Sequence, residues 1–488
     1  MSSLRVLFEP LHRAVRDAPD VIRLREFPSG TSMDGTQLLD AVSSQAAVLR
    51  RAGVAPGDCV LIRCPNSAAF VVAVLACWEA DASCLLTDGA STQAEIERLV
   101  GLFHPAAALG VPADKVARCS PSLICWSPGR SEGSHPSLPR STAAIKLTSG
   151  TTGRARGVVV TCSQLIAGGR QILQTMNIQP GDINIGAISM SHSYGFDNLI
   201  LPLALQGSPI AVLPAGLPEH LMAALGMRES CVFPGVPYLF DLLTRTRSAA
   251  RPSGLRLCIS AGSPLPSAVA RAFQDRFGLD LHSFYGTTET GGIAFEREPQ
   301  DDPVEGCVGT PLEGVHLTLE PQPGTGTDPD SGRVVVRSAA VAQGCWPVDL
   351  SSEDPAGGRF ATADLGRLDE HGRLHLVGRL NHLVNVAGRK VNPVEVEQAL
   401  RALPRVRDAA IVTVRDPRRG QALGACVEAE RGLRRESILE ALGERLPRYK
   451  IPRVLRVVQA LPRTQRGKPD LTRIRDLLAS DRAASRAD

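Results

Sequence analysis

One stretch of the sequence reads Leu147-Thr148-Ser149-Gly150-Thr151-Thr152-Gly153-Arg154-Ala155-Arg156-Gly157 and begins at the end of the largely apolar residues 143–147. Its glycines and hydroxyls are typical of a loop that surrounds phosphate oxygens, because glycine lets backbone N–H groups approach a ligand closely. The Walker pattern G-x-x-x-x-G-K-S/T is not matched. A surface turn of the same composition is the alternative interpretation.

Short apolar runs alternate with segments of helical period around this loop. Residues 59–63 and 83–87 predict strands, and residues 67–80 and 92–103 predict helices. Further predicted strands cover 183–190, 210–214, 231–234 and 255–260. This alternation predicts βαβ units and an α/β fold, with a large N-terminal body of doubly wound parallel sheets.

The pattern of predicted secondary structure changes twice toward the C-terminus. Residues 309–380 contain short strands separated by Gly, Pro and Asp, which predicts a β-rich subdomain. Residues 381–488 then form a predicted smaller, mobile α+β domain, with helices at 393–403 and 436–445 and strands at 409–415 and 425–430. We therefore expect a body of residues 1–380 and a C-terminal domain of residues 381–488.

Charge is distributed unevenly between these parts. Residues 382–488 contain 23 Lys and Arg and 13 Asp and Glu, a net charge of +10, so the remainder carries −6 of the total +4. A basic domain suits an anionic partner such as coenzyme A or an acidic carrier protein. A nucleic acid is disfavoured because no nucleic-acid-binding motif is present.

The overall composition is that of an ordinary globular protein, with 43% hydrophobic and 21% charged residues. The longest apolar run, residues 70–78, is too short to cross a bilayer, and the N-terminus lacks a hydrophobic signal core, which predicts a cytoplasmic location. The 12 cysteines contain no C-x-x-C pair and predict buried thiols rather than disulfides or a metal site. Only five of the 54 basic residues are lysines, so a lysine in a chemically suggestive place carries weight.

Several further segments follow the phosphate-type loop in a fixed order. They are Ser260-Ala261-Gly262-Ser263-Pro264-Leu265, Phe284-Tyr285-Gly286-Thr287-Thr288-Glu289, Thr362-Ala363-Asp364-Leu365-Gly366, Gly378-Arg379 and Leu461-Pro462-Arg463-Thr464-Gln465-Arg466-Gly467-Lys468. With the loop, this ordered set resembles the adenylate-forming superfamily of AMP-binding enzymes, which includes acyl- and aryl-CoA synthetases, luciferases and peptide-synthetase adenylation domains. The usual loop is T-S-G-T-T-G-x-P-K-G, so Ala155 and Arg156 replace its proline and lysine.

The resemblance implies a complete nucleotide site. The residues that it assigns to the phosphates are Thr148, Ser149, Gly150, Thr151, Thr152, Gly153 and Arg156. Those that it assigns to the adenosine are Ala261, Gly262, Ser263, Tyr285, Gly286, Thr287, Asp364 and Arg379, with the last two on the ribose. It also implies that Thr288 contacts the α-phosphate and that Glu289 and Thr152 hold Mg²⁺. A carboxylate suits this hard cation when the cation bridges phosphates.

Three positions are implied to serve movement and catalysis. Lys468 ends a P-x-T-x-x-G-K pattern and is implied to bridge the substrate carboxylate and the α-phosphate, a task for a compact charge on a flexible stem. Asn381 occupies the hinge position of the family. Gly388 matches the glycine beside which the pantetheine arm enters.

The segment Ser191-His192-Ser193-Tyr194-Gly195 resembles the part of the family that lines the acyl pocket. His192 and Tyr194 are thereby assigned to the pocket, together with Gly291 and Gly292, although a lone histidine is often structural. Relatives that activate amino acids place an Asp here, and Asp197 stands too close to Gly207 for that spacing. An amino acid is therefore disfavoured, while alkyl and aryl acids stay open.

The sequence thus predicts an acid–thiol ligase that forms an acyl-adenylate from ATP and then a thioester. Coenzyme A is the expected acceptor, and the phosphopantetheine thiol of a carrier protein is the alternative. Departures from the family pattern at Ala155, Ala363, Asn381 and Asn385 leave a non-catalytic nucleotide-binding relative as a third hypothesis.

Overall fold

A computed structural model describes most of the chain. The described residues are 4–110, 124–126, 138–149, 155–214, 218–246, 252–300, 303–322, 331–346, 355, 357–380, 384–386, 389–416, 420–464 and 467–484. The chain divides into two compact units. The first contains Met1–Leu317 and Val336–Ala361, and the second contains Thr318–Val335 and Thr362–Asp488.

A nine-stranded sheet lies in the first unit. Its strands are β1 (Ile22–Glu26), β2 (Ser32–Asp34), β9 (Ile183–Gly186), β10 (Ile210–Val212), β11 (Cys231–Gly235), β12 (Leu255–Ser260), β13 (Leu281–Thr287), β14 (Gly291–Phe295) and β15 (Thr310–Pro311). They are ordered β15-β14-β13-β12-β11-β9-β10-β1-β2. The central strands, from β13 to β1, pair in parallel, whereas β14, β15 and β2 are antiparallel additions at the two edges.

A seven-stranded sheet is the second layer of this unit. Its strands are β3 (Cys59–Cys64), β4 (Ser83–Asp88), β5 (Ala107–Gly110), β6 (Ile124–Trp126), β7 (Thr142–Ser149), β8 (Ala155–Thr161) and β18 (Gly344–Trp346). They are ordered β18-β8-β7-β4-β3-β5-β6, with β7, β4, β3 and β5 parallel. The predicted parallel sheets are thus confirmed, and antiparallel strands are added at their edges.

Helices pack on both sheets of the first unit. They are α1 (Glu9–Asp17), α2 (Gly35–Arg51), α3 (Ala68–Glu79), α4 (Gln93–Phe103), α5 (Cys162–Thr175), α6 (Ser193–Gly195), α7 (Leu201–Gln206), α8 (Pro218–Leu225), α9 (Pro237–Arg245) and α10 (Ser267–Phe277). A 3-10 helix at Leu4–Leu7 precedes them, and a π-helix covers Phe196–Ile200 between α6 and α7. Local signals set the helix starts: Thr92 and Glu95, for example, form a reciprocal capping box at α4.

The apolar runs of the sequence are explained by burial on two sides. In β3, Val60 and Ile62 belong to the large core that also contains α3, while Cys59 and Leu61 belong to a second core beneath α4. A strand that is covered on both faces reads as continuously hydrophobic. Likewise, every residue of α3 from 68 to 78 is buried, as expected of a helix that is apolar all round.

The second unit is built on two smaller sheets. The four-stranded sheet, ordered β16-β17-β19-β20, contains β16 (His316–Pro321), β17 (Gly332–Arg337), β19 (Arg359–Leu368) and β20 (Leu374–Arg379). The other contains β21 (Val384–Val386), β22 (Arg389–Val391), β23 (Val406–Asp416), β24 (Gly420–Ala429) and β25 (Val454–Val458), in the order β22-β21-β24-β23 with β25 beside β24.

Helices cover both faces of the five-stranded sheet. They are α11 (Pro393–Arg401), α12 (Arg435–Arg445) and α13 (Leu471–Ala484), and a 3-10 helix lies at Arg448–Lys450. Ala409 and Ile411 of β23 share a core with α11 and α12, whereas Ala410 and Val412 share another with α13. This alternation is the period-two pattern of a strand buried on both faces.

The α/β fold with a smaller C-terminal unit confirms the prediction of fold class. The compact units group residues 318–335 and 362–380 with the C-terminal part, so the boundary near residue 380 stays a prediction about where the chain hinges. The ten cysteines whose side chains are described are buried, and none of them forms a disulfide. Within the described ranges, no helix combines the length and apolar character needed to cross a bilayer.

Candidate active site

The phosphate-type loop joins the two strands of an antiparallel hairpin. Thr148 of β7 pairs with Arg156 of β8, and the hydroxyl of Thr148 donates to the carbonyl of Arg156 at 3.4 Å. Packing explains the glycine at position 157, because a Cβ atom there would lie 2.5 Å from the Ile145 side chain. The predicted phosphate-binding residues Gly150, Thr151, Thr152 and Gly153 lie outside the described residues. Ser149 ends β7.

A second hairpin, β13–β14, presents the predicted metal ligand. Thr288 and Glu289 lie in the turn between the two strands and are partly exposed. The turn is fixed from within by Thr290, whose fully buried hydroxyl lies 3.1 Å from the hydroxyl of Thr287 and donates to the carbonyl of Gly291. The backbone carbonyl of Glu289 accepts a hydrogen bond of 2.8 Å from Ala342.

The two hairpins meet around the buried thiol of Cys345. This residue lies on β18, where it pairs with Val158 of β8. Burial raises the pKa of the Cys345 thiol to about 11, with the positive charge of Arg156 opposing the rise and the carboxylate of Glu289 adding to it. The backbone joins the two hairpins here as well, since Gln343, next to Ala342, donates its N–H to the carbonyl of Val159 in β8 at 2.9 Å.

The predicted adenine-binding residues occupy the ends of neighbouring strands. Ala261 and Gly262 follow β12 directly, and the backbone N–H of Ala261 donates to the carbonyl of Gly235 at 3.1 Å. Gly262 has φ +86°, a left-handed conformation that favours glycine, and Ser263 beyond it is exposed. Tyr285 lies in β13 and is buried. These positions follow the rule that ligands of parallel sheets bind beyond the carboxyl ends of the strands.

The predicted acyl-pocket residues lie in and beside α6. His192 caps this short helix, and its Nε2 atom lies 3.6 Å from Oδ2 of Asp88, at the end of β4. The hydroxyl of Tyr194 lies 3.2 Å and 3.0 Å from the carbonyl oxygens of Gly235 and Ile259. Burial raises the pKa of Tyr194 well above its ordinary value, so the phenol stays protonated and donates to these carbonyls.

The two predicted pocket glycines differ in their surroundings. A Cβ atom at Gly292 would lie 2.7 Å from the Leu312 side chain and 2.9 Å from Phe284, so protein atoms fill that space. At Gly291 the nearest atom would be 4.0 Å away, on Ala340. Open space is thus adjacent to Gly291 and not to Gly292. Their assignment to the acyl pocket stays a prediction.

Sequence reasoning missed a buried ion pair beside this pocket. The Nζ atom of Lys146 lies 2.6 Å from Oδ1 of Asp197, and the hydroxyl of Ser193 lies 3.4 Å from Nζ and 3.1 Å from the other carboxylate oxygen. The ammonium also lies 5.2 Å from the centre of the Phe196 ring. The scarcity of lysine and its place within an apolar strand were the signals that could have singled it out. The sequence pattern relates Asp197 only to the binding of an amino group.

The second unit contains the predicted ribose-binding residues. Asp364 and Arg379 are directly opposed in the β19–β20 hairpin, and the guanidinium Nε of Arg379 lies 2.6 Å from Oδ1 of Asp364. Asp364 is 9% exposed, whereas Arg379 is 51% exposed. The backbone of Asp364 is held by Thr362, whose hydroxyl accepts a hydrogen bond of 3.0 Å from the Asp364 N–H. The structure therefore brings these two predicted residues together.

Lys468 lies in the same unit, in a tight loop before α13. Its carbonyl accepts a hydrogen bond of 2.8 Å from the N–H of Thr464, and its side chain is exposed. Asn381 and Gly388 lie outside the described residues. Among the residues that are described, no group of three or more His, Cys, Asp or Glu side chains could hold a metal ion.

Comparison with known proteins identifies the class. The family model for the AMP-binding enzyme matches residues 11–346, and the model for the AMP-binding enzyme C-terminal domain matches residues 395–468. The chain belongs to the AMP-binding enzyme family.

Two curated relatives match almost the whole chain. A 3-[(3aS,4S,7aS)-7a-methyl-1,5-dioxo-octahydro-1H-inden-4-yl]propanoyl:CoA ligase of Mycobacterium tuberculosis is 28% identical over 98% of this chain and 100% of its own length. A feruloyl-CoA synthase of an Amycolatopsis species is 28% identical over 94% of this chain and 96% of its own. Among solved structures, ATP-bound MatB from Rhodopseudomonas palustris superposes with a TM-score of 0.81 at 25% identity, covering 97% of this chain and 98% of that one.

Proposed function

We propose that this protein is an AMP-forming acid–CoA ligase. It activates a carboxylic acid with ATP, releases pyrophosphate, and transfers the acyl group from the adenylate to the thiol of coenzyme A. The near full-length match to named CoA ligases supports this function. The structural observation that carries it is that residues 342 and 343 join the hairpins that contain Arg156 and Glu289. The N–H of Ala342 donates to the carbonyl of Glu289 at 2.8 Å, and the N–H of Gln343 donates to the carbonyl of Val159 at 2.9 Å. A phosphate-binding cation and a metal-binding carboxylate are both needed at a triphosphate.

The nucleotide roles of the residues follow from their positions. We assign the phosphates to the β7–β8 hairpin with Thr148 and Arg156, and the α-phosphate to Thr288 in the turn of the β13–β14 hairpin. Asp364 offers a nearly buried carboxylate to the ribose hydroxyls, and Arg379, paired with it, orients that carboxylate. Tyr285 and the segment from Ala261 to Ser263 are assigned to the adenine.

Magnesium is proposed as the metal, and Glu289 fits it. The carboxylate of Glu289 is a hard oxygen ligand in a turn held by backbone hydrogen bonds, and it is partly exposed. Magnesium in nucleotide sites is bound through one or two carboxylates together with substrate phosphates, so a cage made only of protein ligands is not required. When bound, the ion would neutralise charge on the departing pyrophosphate. Thr152 is proposed as a second protein ligand.

Catalysis then rests on positioning and on charge. An oxygen of the substrate carboxylate attacks the α-phosphorus, and pyrophosphate leaves with its electron pair. Lys468 is proposed to stabilise the negative charge shared by the carboxylate and the α-phosphate in this step. In the second step the thiol sulfur of coenzyme A attacks the acyl carbon and AMP leaves. The boundary near residue 380, with Asn381 as hinge and Gly388 beside the thiol, is retained as the proposed basis for the change between steps.

The acid is proposed to be one with an apolar body. Tyr194 stands beside the aromatic ring of Phe284, and the centres of the two rings are 5.8 Å apart. Asp197 is neutralised by Lys146 and is therefore unsuited to binding an amino group. Ferulic acid, the acid named for the Amycolatopsis relative, is accordingly a sensible first probe, and a cytoplasmic location with soluble ATP and coenzyme A remains our prediction.

A carrier protein is the second candidate acceptor, favoured by the net charge of +10 on residues 382–488. A carrier protein presents a broad acidic surface, which such a domain would attract at long range. Coenzyme A presents a compact phosphate cluster and needs fewer basic groups. The two acceptors are therefore distinguished by the rate of loading at low and at physiological salt.

The deciding experiment measures ATP–pyrophosphate exchange with ferulic, 2-succinylbenzoic, sulfoacetic, malonic and octanoic acids and with a set of amino acids. Exchange with at least one non-amino acid, followed by thioester formation with coenzyme A, is the expected result. Exchange restricted to amino acids would contradict the assigned pocket. No exchange with any acid, combined with tight ATP binding, would favour the non-catalytic relative instead.

A further inference from the structure

The loop that presents Lys468 is fastened by one arginine. Arg463 stands at the start of this loop and forms an isolated antiparallel bridge with Pro469 at its end. One guanidinium nitrogen of Arg463 donates to the carbonyl of Gly467 at 3.0 Å, and the other contacts Oδ2 of Asp408 at 2.6 Å. A single side chain therefore joins the residue before Lys468 to the five-stranded sheet.

Two carboxylates of the sheet converge on this guanidinium. Asp408 of β23 and Glu428 of β24 are directly opposed in the strand register, and Glu428 lies 3.8 Å from Arg463. Like charges opposite one another destabilise a strand pair unless a cation lies between them. Glu428 also accepts a hydrogen bond of 3.0 Å from the N–H of Leu461, where the loop begins. Arg401 lies 3.4 Å from Asp408 as well, but it belongs to α11, so the charge of Arg463 is the one that ties the loop to these carboxylates.

The surroundings of Arg463 make this connection stronger than a surface ion pair. Its side chain is 26% exposed, and those of Asp408 and Glu428 are 20% and 8% exposed. Hydrogen bonds between ionised groups are about twice as strong as neutral ones, and they are screened less when partly buried. The planar fork of arginine can serve a carbonyl and a carboxylate at once in fixed directions, which the ammonium of lysine does less rigidly.

The backbone on both sides of Lys468 depends on the same fastening. The N–H of Gly467 donates to the carbonyl of Thr464 at 2.9 Å, and the N–H of Asp470 donates to the carbonyl of Pro462 at 2.8 Å. Gly467 has φ +73°, the left-handed conformation that closes the turn. If the Arg463 contact with Gly467 is lost, the turn keeps its own hydrogen bonds but loses its direction relative to the sheet.

We propose that Arg463 is a positioning residue for adenylation: with Asp408 and Glu428 it aims the loop so that Lys468 reaches the reacting carboxylate. The inference rests on the proposed function of Lys468. It adds a residue that contacts neither substrate and acts only through that lysine. Arg463 should therefore matter in the half-reaction that uses Lys468, and not in the other.

The test separates the two half-reactions in the full-length enzyme. Adenylation is measured as pyrophosphate exchange with the most active acid of the panel above, and thioesterification as the reaction of its synthetic acyl-adenylate with coenzyme A. We expect Arg463→Gln to slow adenylation about 10-fold to 50-fold, because a catalytic group displaced by about 1 Å can cost about 100-fold. Thioesterification should change less than threefold. Arg463→Lys should recover part of the loss.

A double variant tests whether the effect passes through Lys468. In the Lys468→Ala background, adding Arg463→Gln should slow adenylation by less than twofold further, since residues that act as one unit are not additive. Arg405→Gln is the matched control. Arg405 also donates to a carboxylate, Glu430 at 3.2 Å, and to a carbonyl, Arg431 at 2.7 Å, and neither of these partners belongs to the loop of residues 461–470. It should leave both half-reactions unchanged.

The outcomes are distinguishable. Equal losses in both half-reactions, or full additivity with Lys468→Ala, would show that Arg463 only stabilises the fold, and would overturn the inference. If Lys468→Ala itself slows both half-reactions equally, the proposed role of Lys468 is rejected, and the proposed role of Arg463 is rejected with it. If Lys468→Ala slows adenylation selectively and Arg463→Gln does not slow it, the proposed function is retained and only the positioning role of Arg463 is rejected.

Discussion

Lys146 shows how a single residue can link the nucleotide and acid sites. It lies two positions before Thr148, and its side chain reaches Asp197 and Ser193 next to His192. The carboxylate is in a π-helix, a geometry that occurs frequently at functional sites. A contact between charged groups thereby joins β7, the first strand of the β7–β8 hairpin, to the segment assigned to the acyl pocket.

Breaking this pair from one side should be costly. Lys146→Met leaves the carboxylate of Asp197 buried without its cation, and the expected loss of unfolding free energy is about 3 to 5 kcal/mol. The double variant Lys146→Met with Asp197→Leu should recover most of that loss. Urea unfolding followed by tryptophan fluorescence measures the unfolding free energy of both variants, because Trp78 packs edge-on against Phe196, the neighbour of Asp197.

The exposed pair Arg25–Glu229 provides the control for this experiment. Its nitrogen and oxygen are 3.4 Å apart, and the two side chains are 35% and 49% exposed. Arg25→Gln should change the unfolding free energy by less than about 1 kcal/mol. A loss at Lys146 no larger than at Arg25 would contradict the importance given to the buried pair.

Lys468 is the residue whose charge should be needed in one half-reaction only. Lys468→Ala should lower the rate of adenylate formation by about 100-fold or more, because it removes a positive charge from the developing transition state. Thioester formation from synthetic acyl-adenylate should persist. The two rates, measured on the same preparation, test this directly.

Glu289 should matter through the metal. Glu289→Gln keeps the shape of the side chain but replaces an anionic oxygen ligand by a neutral one, so ATP-dependent turnover should fall by about 100-fold. Raising the Mg²⁺ concentration should restore part of the rate. A Mg²⁺ titration of turnover checks both statements, and an unchanged rate would remove Glu289 from the site.

At the scale of elements, antiparallel hairpins added to the parallel sheets contain the residues that we assign to the phosphates and the metal. The β7–β8 hairpin holds the phosphate loop, and the β13–β14 hairpin holds Thr288 and Glu289. A hairpin turn projects beyond the edge of the sheet that supports it. Its side chains can therefore approach a ligand while hydrogen bonds keep the two strands in register.

The β13–β14 hairpin requires close contact of its backbones at Gly286. A Cβ atom there would lie 2.4 Å from the carbonyl oxygen of Gly291. Gly286→Ala should therefore displace the turn and lower the unfolding free energy by about 2 kcal/mol, with at least a tenfold loss of adenylation. Thermal unfolding and pyrophosphate exchange measure the two effects.

Gly101→Ala is the matched control for that change. Gly101 lies in α4 with no atom within 4 Å of the added Cβ, so alanine should be neutral or stabilise by up to about 1 kcal/mol. Equal behaviour of the two variants would mean that the turn tolerates displacement, contrary to the role assigned to it.

At the scale of the whole molecule, the distribution of charge separates the two candidate acceptors. Arg418 and Arg419 lie outside the described residues, and they belong to the basic C-terminal part of the sequence. Changing both to Ala should alter the reaction with coenzyme A less than twofold. Loading of a purified holo acyl carrier protein, if it occurs, should weaken in a salt-sensitive way through the association rate. Efficient carrier loading with negligible CoA turnover would overturn our choice of acceptor.

The sequence alone determined the family, the α/β class and the approximate position of most strands and helices. These properties are encoded locally: ordered motifs identify residues one by one, and apolar periodicity follows from burial on one face or two. For that reason the predicted strand at residues 255–260 coincides with β12. The same local rules could not place the edge strands, whose antiparallel pairing depends on where distant segments meet.

Only the tertiary structure decided which charged groups share a site. Lys146 and Asp197 are 51 positions apart in the chain, and Arg463 and Asp408 are 55 apart, yet each pair is joined at 2.6 Å. A sequence can mark one member, as the lysine within an apolar strand does, but it does not identify the partner, because the desolvation of two charges is compensated only by a group that the fold brings into contact. The motifs identified the residues that we assign to the substrates, whereas the packing of distant strands and helices determined which side chains contact those residues.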